Sequence, residues 1–234
     1  MERHFFKELE NLKMTILNMA ALTQRALENA TTAYLERDEK LAQTVIDGDK
    51  KINELEVQVD QYTLKLLALE QPMAKDLRTI MGTAKISNEL ERIADQAVNI
   101  SERSQFLCKY PPLKTIPAMD QLIDVSFAMF KKAVACFVNE ETKAAYEIRE
   151  MDDRADAYTL EVLHTLVEYM VKNTPESERR RLNTRRSIQT IIISRCLERV
   201  CDLSTNIGEH VAFITEGINI KHQDIDSKWK RCRI

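Results

Sequence analysis

The sequence predicts an all-α fold, two antiparallel three-helix bundles in tandem, and three observations predict it. Only 4 glycines and 5 prolines occur in 234 residues, too few turn formers for a chain of many short strands. Apolar residues recur at alternating spacings of three and four, the period of a helix that buries one stripe. The third observation is an internal repeat. Residues 86–107 read ISNELERIADQAVNISERSQFL, and residues 193–214, lying 107 positions later, read ISRCLERVCDLSTNIGEHVAFI. The two agree at ten of twenty-two positions, so the chain is read as two copies of one unit.

The first helix covers residues 3 to about 36, where Leu9, Leu12, Ile16, Met19, Leu22, Ala26, Ala30 and Ala33 keep helical spacing without Gly or Pro. Asp38 fits the N-cap of the second, which ends at Gln71-Pro72 with a kink expected at Gly48. The third runs from about Met73 to Leu107, with Gly82 inside it at a cost of ~1 kcal/mol relative to alanine. Pro111, Pro112 and Pro117 then block helix continuation and mark the boundary between the repeats. A fourth helix follows over Met119 to Cys136, and a fifth from Asn139 to Met170. Asn173-Thr174-Pro175 breaks the fifth, and a sixth runs from about Glu178 to Thr215, ending at Gly217. The chain thus divides into residues 1–110, residues 111–217 and a polar tail, 218–234, with a basic end and the single Trp229.

The net charge of −3 gives no general affinity for nucleic acid. No apolar run reaches the ~18 residues that span a bilayer, and the charged start MERHFFKELENLK is no signal peptide. Cys108, Cys136, Cys196, Cys201 and Cys232 are odd in number and form no CxxC, so they read as reduced, mostly buried thiols of a cytoplasmic protein. The four glycines are isolated, so no phosphate-cradling loop is present.

The repeated helices carry a second pattern. Glu91, Asp95, Asn99 and Glu102 in the first copy match Glu198, Asp202, Asn206 and Glu209 in the second. Residues four apart stack on one helix face. Like charges there repel by ~0.2–0.5 kcal/mol per pair, so an acidic stripe kept in both copies points to a counter-charge. The second helices add to it: aligning Asp49 with Asp152 puts Asn53 on Asp156, with Glu56 and Asp60 further on. Two adjacent antiparallel helices of this kind can line a site with carboxylates. Such hard oxygens suit Mg, Mn, Ca or iron better than zinc or copper. The plainer alternative is a pair of solvated faces neutralised by Arg92, Arg199 and lysines.

Residues 52–56 (INELE), 71–78 (QPMAKDLR), 89–95 (ELERIAD) and 197–202 (LERVCD), with Thr205-Asn206-Ile207, resemble the PhoU family of phosphate-transport accessory regulators, and the likeness covers about residues 3–218. The resemblance implies two three-helix bundles, each with a multinuclear metal site built on Glu91/Asp95 and Glu198/Asp202 and completed by Asp49, Asp152 and Asp156. Iron, Mn or Mg are the expected ions. It further implies a non-catalytic, cytoplasmic, homodimeric protein, peripheral to the membrane at most and without nucleic-acid partners. Such a protein links a phosphate ABC transporter to a sensor histidine kinase as a negative regulator of the phosphate-starvation response.

Two alternatives belong to other classes. A carboxylate-bridged di-metal enzyme wants paired Glu-x-x-His motifs, and only Glu161/His164 supplies one. A metal-free adaptor would use the acidic stripes to bind a basic partner. The QPMAKDLR motif has no counterpart in the second repeat, which instead holds Arg179, Arg180, Arg181, Arg185 and Arg186. That cluster reads as a solvated helix start or as a dock for an acidic partner or lipid headgroups.

Overall fold

The computed structural model describes residues 2–171 and 177–220. These form α1 (Glu2–Glu36), α2 (Glu39–Glu70), α3 (Ala74–Cys108), α4 (Pro117–Asn139), α5 (Thr142–Val171) and α6 (Ser177–Glu216). Helix ends have local causes. Asp38 is extended, and its carboxylate accepts the N–H groups of Lys40 and Leu41 at 2.9 Å, capping α2. α2 stops where Gln71 enters the left-handed region (φ 47°) ahead of Pro72. Pro117 opens α4, where its missing N–H leaves no bond unmade, so α4 starts before Met119. One expectation fails: α2 runs unbroken through Gly48. That position is exposed with nothing packed against it, so glycine there weakens the helix without interrupting it.

α1, α2 and α3 pack as one bundle and α4, α5 and α6 as another. The two are joined along α3 and α6, whose interface is as extensive as any within a bundle, while α1 touches α4. Gly82 beside Ile214, Glu89 beside His210 and Arg103 beside Gln189 show that α3 and α6 run antiparallel. The buried apolar residues form one continuous core, from Leu12 and Ile16 through Leu90 and Ile93 to Leu197 and Val211. Gly82 is where the seam is tightest, since a Cβ there would lie 2.3 Å from Cγ1 of Ile214. Gly82→Ala is expected to cost ~1–3 kcal/mol by overpacking. An unchanged thermal midpoint would remove this role for the glycine.

Residues 109–116 connect the bundles and are pinned from both sides. Arg37 donates to the carbonyls of Leu107 (2.7 Å) and Tyr110, and Arg186 donates to those of Pro111 and Pro112. Arg186 is 6% exposed, which corrects the reading of the arginine cluster as one outward-facing patch. Arg181 and Arg185 are exposed, while the side chains of Arg179 and Arg180 lie outside the described residues. Arg186→Ala strips two linker carbonyls of a charged donor and is expected to cost ~2 kcal/mol, read as a shift in the urea midpoint.

Cys136, Cys196 and Cys201 are buried and Cys108 half-buried, all unpaired; Cys232, Trp229 and the tail beyond residue 220 lie outside the described residues. No helix among the described residues is long and apolar enough to cross a membrane.

Candidate functional site

Because α2 and α3 lie antiparallel, their acidic rows face each other. Asn88 of α3 donates to Glu56 of α2 at 3.4 Å, which sets the register. Asn53 donates to Oδ2 of Asp49 at 2.8 Å. That bond leaves Oδ1 of Asp49 and Oδ1 of Asn53 buried without a hydrogen-bond partner. Orphaned buried acceptors cost ~1–3 kcal/mol each, so these two oxygens mark a place where something else is wanted. Burial, then the charges of Asp95, Glu56 and Asp49, push the Glu91 carboxyl up to about 7 against the opposing pull of Arg92. Asp95 is also raised, by burial and then by Asp49. Glu56 is raised by burial and by Asp60 and Asp95, against the hydrogen bond from Asn88.

α5 and α6 repeat the arrangement. Burial, then Asp202, Asp156, Asp153 and Glu198, push Asp152 up to about 6. Glu198 and Asp202 rise with it, each first through burial and also through Asp156. One guanidinium nitrogen of Arg195 reaches both Glu198 oxygens, at 2.9 and 2.6 Å. The structure therefore couples Asp49, Glu91 and Asp95 in one cluster, and Asp152, Asp156, Glu198 and Asp202 in the other.

Neither cluster is a closed cage. Among the described residues, no three His, Cys, Asp or Glu side chains converge tightly enough to hold an ion as they stand. The donor set nonetheless fits a hard cation, because every group is an oxygen ligand and two of the oxygens are orphaned. Glu161 and His164 are both exposed on α5 and gather no further ligands.

Asn206 behaves differently from the rest of its stripe. It turns toward the α3–α6 seam, with Nδ2 at 3.5 Å from Oε2 of Glu89. The same oxygen accepts from Arg92 at 3.1 Å, and Nε2 of His210 stands 3.6 Å from Oε1. Burial works to raise the Glu89 carboxyl, but His210, Arg92 and Asn206 together hold it below its usual value. Asn88, Glu89 and Arg195 are the site and seam residues that the helical stripes did not single out. Comparing the repeats position by position would have flagged Asn88 against Arg195, since a neutral residue in one copy stands where the other has a cation, directly after the shared Ile-Ser.

The PhoU domain model matches this chain twice, over residues 16–104 and 119–211. A relative from Aquifex aeolicus, named phosphate-specific transport system accessory protein PhoU homolog, is 36% identical over 223 residues, covering 95% of this chain and 98% of its own. The crystal structure of PhoU from Pseudomonas aeruginosa superposes with a TM-score of 0.85 at 29% identity, covering 92% of this chain and all of that one. The crystal structure of the phosphate transport system regulatory protein PhoU from Streptococcus pneumoniae shares the fold, with a TM-score of 0.83 at 23% identity, and covers 93% of this chain and 99% of its own. The duplicated three-helix unit, its repeated acidic faces and these matches agree: the chain belongs to the PhoU family.

Proposed function

We propose that this protein is a metal-binding, non-catalytic, cytoplasmic regulator of phosphate uptake. It would act as a homodimer between a phosphate ABC transporter and a sensor histidine kinase to silence the phosphate-starvation response. The observation that carries the reading is the pair of acidic clusters at equivalent places in the two halves of a PhoU-family fold. The names of the relatives, which place them in phosphate-specific transport, support the transporter side of it.

Asp49, Glu91 and Asp95, with Asn53 and Glu56, would hold iron, Mn or Mg at the first centre. Asp152, Asp156, Glu198 and Asp202 would hold it at the second. The ion supplies positive charge that offsets the gathered carboxylates. The chain's own part is to keep the carboxylates opposed across two helices, so that neutralising them ties α2 to α3 and α5 to α6.

A metal-free adaptor that presents these faces to a basic partner is the second reading. It is favoured by the lack of a preassembled ligand group among the described residues. The deciding experiment measures a phosphate-responsive phosphatase in phosphate-rich medium, in the host with this gene deleted and then complemented. The deletion should switch the output on and the wild-type gene should silence it. A gene lacking the Glu91, Asp95, Glu198 and Asp202 carboxylates should fail to silence it. An output that stays off in the deletion overturns the regulatory reading. Full silencing by the carboxylate-free gene overturns the metal's part in it.

A further inference from the structure

We propose that Arg195 makes the two acidic centres unequal: it is a built-in cation competing with a metal ion for Glu198, so the α5–α6 centre fills later and more weakly than the α2–α3 centre. This rests on the metal-binding reading above and adds an order to it.

The repeat makes the comparison internal. Glu91, Arg92 and Asp95 recur as Glu198, Arg199 and Asp202, but Arg195 stands where the first repeat has Asn88. Arg195 covers both oxygens of Glu198, at 2.9 and 2.6 Å. Neutral Asn88 instead donates to Glu56 at 3.4 Å and adds no charge to its centre. Arg92 does not play the part of Arg195 in the first repeat, because its guanidinium is bonded to Glu89 at the seam, 3.1 Å away. The donor atoms differ in the same sense. Among the carboxylates, Asp49 of the α2–α3 centre has an orphaned buried oxygen, whereas none of Asp152, Asp156, Glu198 and Asp202 has one.

The size of the effect follows from simple electrostatics. A unit charge ~6 Å from a divalent ion disfavours it about tenfold even in a water-like medium. The Arg195 side chain is 64% exposed, so the water-like value is the appropriate one and added salt should shrink it further.

The test is calorimetric titration of the purified full chain with Mn²⁺. Two steps about tenfold apart are expected. Glu198→Ala/Asp202→Ala should remove the weaker step, and Glu91→Ala/Asp95→Ala the tighter one. R195N should tighten the weaker step about tenfold and merge the two, and N88R should weaken the tighter step. Both of these positions are exposed on helices, so either substitution is compatible with folding. The inference is overturned if R195N leaves the weaker step unmoved, or if Glu198→Ala/Asp202→Ala removes the tighter step. A chain that takes up no Mn²⁺ in any form sinks the metal reading and this inference together. Two equal steps, insensitive to position 195, sink the inference alone.

Discussion

Replacing Glu91, Asp95, Glu198 and Asp202 together by alanine is expected to abolish cation uptake while raising the thermal midpoint of the metal-free chain. The two effects have one cause. Like charges gathered on two half-buried faces disfavour the fold unless a cation neutralises them. The pH dependence carries the sign. A group whose folded pKa lies above its unfolded value stabilises the fold below the unfolded value, and that contribution is lost as pH rises through the folded one. For Glu91 the window runs from 4.5 to about 7, and for Asp152 from 3.8 to about 6. Metal-free wild-type protein should therefore lose stability between about pH 4 and 7, by ~1–2 kcal/mol once solvent screening of these half-exposed groups is allowed for. The four-alanine protein should show a shallower fall, and Mn²⁺ should restore only the wild type. Melting curves across that range check this. A four-alanine protein that melts lower than metal-free wild type, or still retains the cation, contradicts the account.

Glu89→Ala should be among the most damaging single changes at a polar residue. Glu89 and His210 are 7% and 5% exposed, so neither has water to fall back on. Truncating the acid leaves Asn206 without its acceptor and removes the carboxylate facing His210 at the junction of α3 and α6, and a buried polar group that loses its partner costs ~1–3 kcal/mol. The long 3.5–3.6 Å approaches of His210 and Asn206 place each of these two losses near the lower end of that range. Urea denaturation of Glu89→Ala, His210→Ala and the double variant should show strong coupling between the two sites. Additive effects, or a Glu89→Ala midpoint close to wild type, would show that the seam is held by apolar packing alone. Glu140 is the contrasting case. Lys75 and Lys13, at 3.0 and 3.2 Å, hold its carboxyl below its usual value, but its side chain is 38% exposed. Glu140→Ala should cost well under 1 kcal/mol. Its contribution is present above pH ~4.5 and disappears as pH falls through its lowered folded value.

Much of this protein was legible in its sequence because the information is local and repeated. Helix ends followed Asp38, Gln71-Pro72, Pro117 and Gly217, each acting on backbone within a few residues of itself. The duplication revealed two bundles, and the four-residue spacing put Glu91 with Asp95 and Glu198 with Asp202. Aligning Asp49 with Asp152 found the second helices' share of each cluster.

What only the tertiary structure decided depends on contacts between residues far apart in the chain. Periodicity shows that a face is apolar, not which helix it meets, so the antiparallel α3–α6 seam and its shared core were invisible. Gly82 looked like a flaw in a helix, and only Ile214 across the seam gives it a purpose. Arg186 looked like one charge in a basic run, and only the proline carbonyls of the linker show why it is buried. The acidic stripes were written in the sequence. Their raised carboxyls and orphaned oxygens were not, because burial and mutual repulsion exist only once two helices stand side by side.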